Sequence, residues 1–235
     1  MDLNRSPNLL LPRRLLLSGG ALGLATMAFP VVAALPTRDR LAFSVIREGM
    51  PIGSHSLAFR REGEDLRVRV DILLEIKFAF ITVFRYQHRN EEVWRDGRLI
   101  ALDTRTDDDG DNYWVKARAT DEGLAVEGSK GTFLAPAETI PTSYWNPATV
   151  KQTELLDTQR GGLMTVKTVE AGKDRIETDA GSLSARRYDM SGDLNLKLWY
   201  AGDGEWVKIA FTARGSEVEY VRQQSPASLN TVQTG

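Results

Sequence analysis

From Arg67 to Phe80 the chain alternates with period two. Even positions carry Val68, Val70, Ile72, Leu74, Ile76, Phe78 and Phe80, and odd ones carry Arg67, Arg69, Asp71, Glu75 and Lys77. Only Leu73 and Ala79 break the pattern. Such alternation specifies a strand with one face buried and one wet. At ~3.3 Å per residue the run would extend roughly 46 Å, far beyond an ordinary strand, so it is expected to bend or curl.

Turn signals recur at short spacing after it. Asp96-Gly97, Asp109-Gly110 and Glu122-Gly123 separate the strand-like runs Val83–Trp94, Leu99–Thr106, Tyr113–Ala119 and Leu124–Glu127. Acidic-residue–glycine pairs of this kind favour tight hairpins. A second series comprises Leu163–Val169, Leu183–Met190, Leu194–Tyr200, Trp206–Thr212 and Val218–Val221, with a further turn at Gly202-Asp203-Gly204. The pattern predicts an all-β fold. Its antiparallel meander would form a strongly curved sheet or a closed or half-open β-barrel. Between Ala135 and Thr158 the rhythm stops. Pro136, Pro141 and Pro147 fall there, and Asn146-Pro147 suits a cap and first turn, so one Pro-rich loop or short helix is expected between the two β halves.

The N-terminal stretch reads as an address. Arg13-Arg14 precede an apolar Leu/Ala/Gly-rich run from Leu15 to Phe29, and Val32-Ala33-Ala34 ends it. A charged region, an apolar core and a small-residue finish make an export signal. The arginine pair points to the twin-arginine translocase as an export partner. Ser18, Gly19, Gly20 and Pro30 interrupt the apolar run, which favours cleavage over a retained anchor. The expected organisation is therefore a signal over 1–34, one β domain over 35–224 and a disordered polar tail over 225–235, with the mature protein in the periplasm.

Composition narrows the function. The chain has 30 Lys+Arg against 32 Asp+Glu, and losing Arg5, Arg13, Arg14 and Asp2 with the signal makes the remainder more acidic. A mildly negative protein lacks the basic face that nucleic acid requires. There is no cysteine, which excludes disulfides and a lipid-modified N-terminal cysteine. With two histidines and no cysteine, a usual tetrahedral zinc site is not expected. No glycine-rich phosphate loop or G-x-S-x-G elbow occurs in the mature region, so neither a cofactor nor a catalytic residue is assigned.

Several motifs fall in a recognisable order. They are Gly49-Met50-Pro51-Ile52-Gly53, the run from Asn90 to Leu99, Ser143-Tyr144-Trp145-Asn146-Pro147, Ala185-Arg186-Arg187-Tyr188 and Leu198-Trp199-Tyr200. In this order the chain resembles an exported Gram-negative family catalogued as domain of unknown function 6134. The resemblance covers nearly the whole mature region. It implies compartment and fold, and carries over no catalytic residue.

If Val83–Trp94 is a strand, one face carries Phe84, Tyr86, His88, Asn90, Glu92 and Trp94. An imidazole, an amide and a carboxylate then align among aromatics. Such a row could bind a polar head or do acid–base work, with Glu92 orienting the imidazole. Tyr144-Trp145 in the Pro-rich loop could rim or plug one end of a barrel and touch a ligand. Asp107-Asp108-Asp109-Gly110-Asp111-Asn112 places Asp107 and Asp109 at calcium-loop spacing. However, Arg105 occupies a third ligand position and Lys116 stands where a closing Glu belongs, so a solvated turn is favoured. Phe78–Phe84 is apolar on both faces, which fits burial or contact with a membrane or partner.

The function expected from these residues is non-catalytic binding of a lipid or small apolar ligand in a barrel cavity. The candidate contacts are Tyr86, His88, Asn90, Glu92, Trp94, Tyr144 and Trp145. The alternatives are an enzyme centred on His88, Asn90 and Glu92, or a scaffold module that binds another envelope protein.

Overall fold

The computed structural model describes residues 38–178 and 181–223; the export-signal reading of 1–34 and the tail reading of 225–235 lie outside the described residues. The described chain is all-β. The first meander is β1 (Arg40–Arg47), β2 (Met50–Glu62), β3 (Asp65–Phe78), β4 (Ile81–Arg95), β5 (Arg98–Asp108), β6 (Asp111–Thr120), β7 (Gly123–Gly128) and β8 (Gly131–Ala135). Short β9 (Ile140–Pro141) and β10 (Glu154–Leu156) flank a 3₁₀ turn over Pro147–Lys151. The second meander is β11 (Leu163–Thr178), β12 (Gly181–Gly192), β13 (Leu196–Ala201), β14 (Trp206–Ala213) and β15 (Ser216–Arg222).

All fifteen strands join one sheet in the order 8-7-6-5-4-3-2-1-15-14-13-12-11-10-9. Every ladder is antiparallel except that of β9 with β10. The pairing of β1 with β15 splices the two meanders, with Phe43 opposite Arg222 and Arg47 opposite Val218. The two outermost strands, β8 and β9, are consecutive in the chain and are joined by Pro136–Thr139. The sheet thus curls until a short covalent link closes its seam. At the opposite end of β8 the Lys130 N–H donates to the Arg160 carbonyl at 3.0 Å.

Local sequence explains the turns and the curvature. Asp96-Gly97 and Asp109-Gly110 take positive φ at both positions (50° and 77°, 58° and 99°), the conformation that two-residue hairpins need. At Asn146, the side-chain Oδ1 accepts from the Ala148 N–H at 3.0 Å, capping the turn that Pro147 starts. The β3 alternation overshoots the strand itself. Ala79 and Phe80 form the hairpin turn rather than continuing the ladder, because Ala79 sits at φ 53°. Register shifts at Val45/Ile46 and Ile76/Lys77 leave Ile52 and Val83 as bulge residues, which bend the long strands.

Inside the curl one apolar cluster fills the end near the β2–β3 and β4–β5 turns. Phe59, Leu66, Trp94, Leu99, Leu102, Leu124 and Trp145 belong to it and are all buried. The other end is not filled.

Candidate functional site

Strand register arranges the inward side chains in rows across the sheet. One row runs Phe43, His55, Ile72, His88 and Thr106 on β1 to β5; the next runs Leu57, Val70, Asn90 and Thr104 on β2 to β5. Above the filled end these rows surround a cavity of about 880 Å³. That volume suits a drug-sized or lipid-like molecule.

The cavity is divided by chemistry. One wall is apolar, built by Ile72, Leu74, Ile76, Phe84, Leu194 and Phe211, while Arg47, Asp193 and Arg214 border the mouth. Apart from Asp157, its floor is polar and uncharged. His88 is buried, and its Nδ1 shares a 2.8 Å hydrogen bond with Thr106 Oγ1. Burial pushes the His88 pKa down to about 4, against the opposing pull of Asp157 and Asp71. His55 lies among Phe43, Trp206 and Tyr220, with ring centroids 6.0, 5.3 and 5.4 Å away. Among the described residues neither of its ring nitrogens has a hydrogen-bond partner, and burial lowers its pKa to about 3 with a further push from His88. Both imidazoles are therefore neutral at pH 7.

Three phenols complete the floor. Burial raises the pKa values of Tyr86, Tyr144 and Tyr220, keeping all three protonated. Tyr86 Oη accepts from Gln159 Nε2 at 3.0 Å. Tyr144 holds φ 60°, a costly conformation for a bulky residue, of order 1–3 kcal/mol. Tyr200 Oη donates to its carbonyl at 2.7 Å and so helps hold it there. The one buried carboxylate on the lining is Asp157, which accepts from the Gln159 N–H at 2.8 Å and lies 3.7 Å from Lys130 Nζ.

The structure divides the seven residues singled out from sequence. Tyr86, His88, Asn90 and Tyr144 line the cavity, whereas Glu92, Trp94 and Trp145 sit together below it. Glu92 does not orient the imidazole. Its Oε2 accepts from Trp94 Nε1 at 2.7 Å and Trp145 Nε1 at 2.9 Å, and its Oε1 accepts from Asn90 Nδ2 at 2.7 Å. Trp145 stacks edge-on against Trp94 and Phe59, at 5.2 and 5.6 Å. The Pro-rich segment is thus a plug latched to β4 through one carboxyl group, and Tyr144 is the residue it offers to the cavity.

His55, Tyr220, Asp157 and Gln159 were not marked by any motif. Period two on β2 does put His55 on the face of Leu57 and Phe59, and this was the available signal. The acidic run at 107–111 forms the β5–β6 turn. Its Asp107 Oδ1 accepts from the Gly110 N–H at 2.8 Å, and Asp108 lies 3.5 Å from Arg160. Among the described residues no three His, Asp or Glu side chains come together as a metal-binding group.

A family model described as Domain of unknown function (DUF6134) matches residues 43–223. Among solved structures the chain is similar to a beta-barrel-like protein of domain of unknown function DUF1849 from Brucella abortus. The two share 10% identity with a TM-score of 0.54, covering 78% of this chain and 94% of that one, so the likeness is one of fold. A search of curated proteins finds no match.

Proposed function

This chain belongs to the family of domain of unknown function 6134, and from that starting point we propose that it is a non-catalytic carrier of an amphiphile with an uncharged polar head. The observation that carries this reading is His55. It is buried, borders the cavity and, among the described residues, has no partner for either ring nitrogen. An unpaired buried polar group costs roughly 1–3 kcal/mol, so a fold retains one where a ligand can complete it. Asn90 Oδ1 is a second such atom on the same floor.

The division of the lining gives the orientation of the ligand. Neutral imidazole, phenol and amide groups suit a hydroxyl, carbonyl or ester, while a charged head would find its unpaired countercharges not on the floor but at the rim, where Arg47 and Arg214 border the cavity. The head sits deep, against His55, His88 and Asn90, and the tail lies along Ile72, Leu74, Ile76 and Phe84. The Arg13-Arg14 signal supports delivery of the carrier to the periplasm through the twin-arginine translocase.

Native mass spectrometry of protein purified from its producing cells, followed by solvent extraction, tests both head and body of the ligand. A reproducible adduct that extracts as an uncharged amphiphile is the expected result. An unadducted mass in every preparation, with no uptake of added monoacylglycerol or fatty alcohol, overturns the carrier reading. Cell fractionation of Arg13→Lys/Arg14→Lys protein tests the export route, with retention in the cytoplasm expected.

A further inference from the structure

The turns at the two ends of the curled sheet differ in chemistry. At the filled end they carry Glu64, Asp96, Asp121, Glu122 and Asp203. At the cavity mouth the β3–β4 hairpin ends in Phe80, 103% exposed, and Ile81, 68% exposed; Met50 on the adjoining β1–β2 hairpin is also 68% exposed. The β4–β5 ladder stops at Tyr86–Asp108, whereas β3–β4 continues through four more pairs to Phe78–Ile81. At ~3.3 Å per residue the tip projects about 13 Å past the acidic β5–β6 turn.

We propose that this hairpin is a membrane-docking probe that inserts Phe80 and Ile81 into the interface of an anionic bilayer. Charge around the tip fits that surface. Arg47, Lys77, Arg85 and Arg214 stand against Glu48, Glu75 and Glu217. Lys77 and Arg85 share Glu75, at 3.4 and 3.9 Å. The Arg47 guanidinium donates to the Ser216 hydroxyl at 2.7 Å, and Arg214 lies 4.8 Å over the Phe84 ring. Among the described residues neither guanidinium has a carboxylate within ion-pair distance, so both are available to lipid phosphates. The acidic turn at 107–111 stays behind the tip, where Asp109 is held by the Arg85 backbone: the Asp109 N–H donates to the Arg85 carbonyl at 2.8 Å.

Apolar side chains lead from the tip toward the cavity. Val83 is exposed on its outer flank yet borders the cavity together with Phe84 and Ile76. Insertion would bring the mouth against the acyl region, so an amphiphile could pass along Val83 and Phe84 without crossing water.

The chain has no cysteine, so a single Phe80→Cys substitution carries an environment-sensitive fluorophore at one place, with Glu64→Cys labelling the opposite end as control. Vesicles of phosphatidylethanolamine with phosphatidylglycerol are the probe, and phosphatidylcholine vesicles the comparison. The expected result is a blue shift at position 80 with the anionic vesicles and none at position 64. In co-sedimentation, Phe80→Asp should reduce binding roughly tenfold or more. Arg47→Gln and Arg214→Gln should each reduce it roughly fivefold, an effect that added salt also produces. Phe80 and Arg214 are exposed and Arg47 is half-buried, so unchanged thermal unfolding confirms the fold of each variant. No shift at position 80, or equal shifts at both ends, overturns the proposal. A docked protein that never carries an adduct would leave the probe standing and remove the carrier reading.

Discussion

A single carboxyl group illustrates how residue-scale chemistry supports the site. Glu92 is buried. Burial raises its pKa, while the Trp145, Trp94 and Asn90 donors pull it back down. Replacing it by Leu would leave two indole N–H groups buried without an acceptor, each costing about 1–3 kcal/mol. Glu92→Leu should therefore lose about 3 kcal/mol, and roughly 6–12 °C in Tm for a domain of this size. Glu92→Gln keeps an acceptor oxygen and should lose less. Calorimetric melting of the two variants checks the order, and equal Tm values would refute the latch. The histidines set the acid side of stability. Both fold with pKa values below the ordinary 6.5, so below pH 6.5 the unfolded chain binds more protons than the folded one. Stability is full above 6.5 and falls as the pH drops toward about 4 and 3, by about 2 kcal/mol per histidine by pH 5. Glu92, with its raised pKa, acts in the opposite sense: its contribution is present at low pH and lost as pH rises through that value. His55→Phe removes an unpaired polar ring from an aromatic setting, so its Tm at pH 7 should hold or rise. Its Tm–pH profile between 6.5 and 5 should be flatter than that of the unaltered chain. A profile as steep as before would exclude His55 as an acid-sensitive group.

At the scale of elements, the β1–β2 hairpin depends on one glycine. Gly53 pairs with Val45 beside the bulge at Ile52, at φ 157°. A Cβ there would lie 2.0 Å from the Leu73 carbonyl oxygen on β3, and 2.9 Å from Leu73 C and Leu74 Cα. Backbone cannot yield cheaply, so Gly53→Ala should cost roughly 2 kcal/mol or more, displace β2 from β3 and move His55 two residues along. Gly49→Ala, at an open turn with φ 79°, meets no atom within 4 Å and bears only the backbone cost of positive φ. Urea melts of the pair, with Gly53→Ala the weaker, separate a steric cause from a conformational one. The sequence motif Gly49-Met50-Pro51-Ile52-Gly53 thus marks a real constraint, although its reason was not legible. What could be read was local: the β3 alternation, the Asp-Gly turns and the Asn146 cap depend on neighbours a few residues apart. The pairing of Phe43 with Arg222, and of Glu92 with Trp145, spans long stretches of chain. Period two states which face a side chain occupies, not what stands opposite. For this reason the row from Tyr86 to Trp94 could be drawn from sequence, but its division between cavity and plug could not. The bulges at Ile52 and Val83 added a phase shift that brings a bulge residue onto the lining beside the regular inward positions.

At the scale of the whole molecule, the two ends of the curled sheet do different work. One end is closed by apolar packing and the Trp145 plug and supplies stability. The other leaves apolar surface facing a cavity, where a filled core would have given more. Burial stabilises by roughly 25 cal/mol per Å² of apolar area, so an open interior gives up stability that a ligand can restore on binding. Binding only the folded state stabilises it by RT ln(1 + [L]/Kd), about 2.7 kcal/mol at a hundredfold excess over Kd. Protein purified without detergent should therefore melt higher than the same protein after solvent extraction, by roughly 5–10 °C at that occupancy. Adding back the extract should restore the difference. His55→Phe should melt at least as high as the extracted protein yet regain little on addition, because its ring offers no hydrogen bond to the head. If extraction leaves Tm unchanged and the extract does nothing, the cavity is a structural consequence of the curl. If extract stabilises both proteins equally, a ligand is bound but His55 does not select its head.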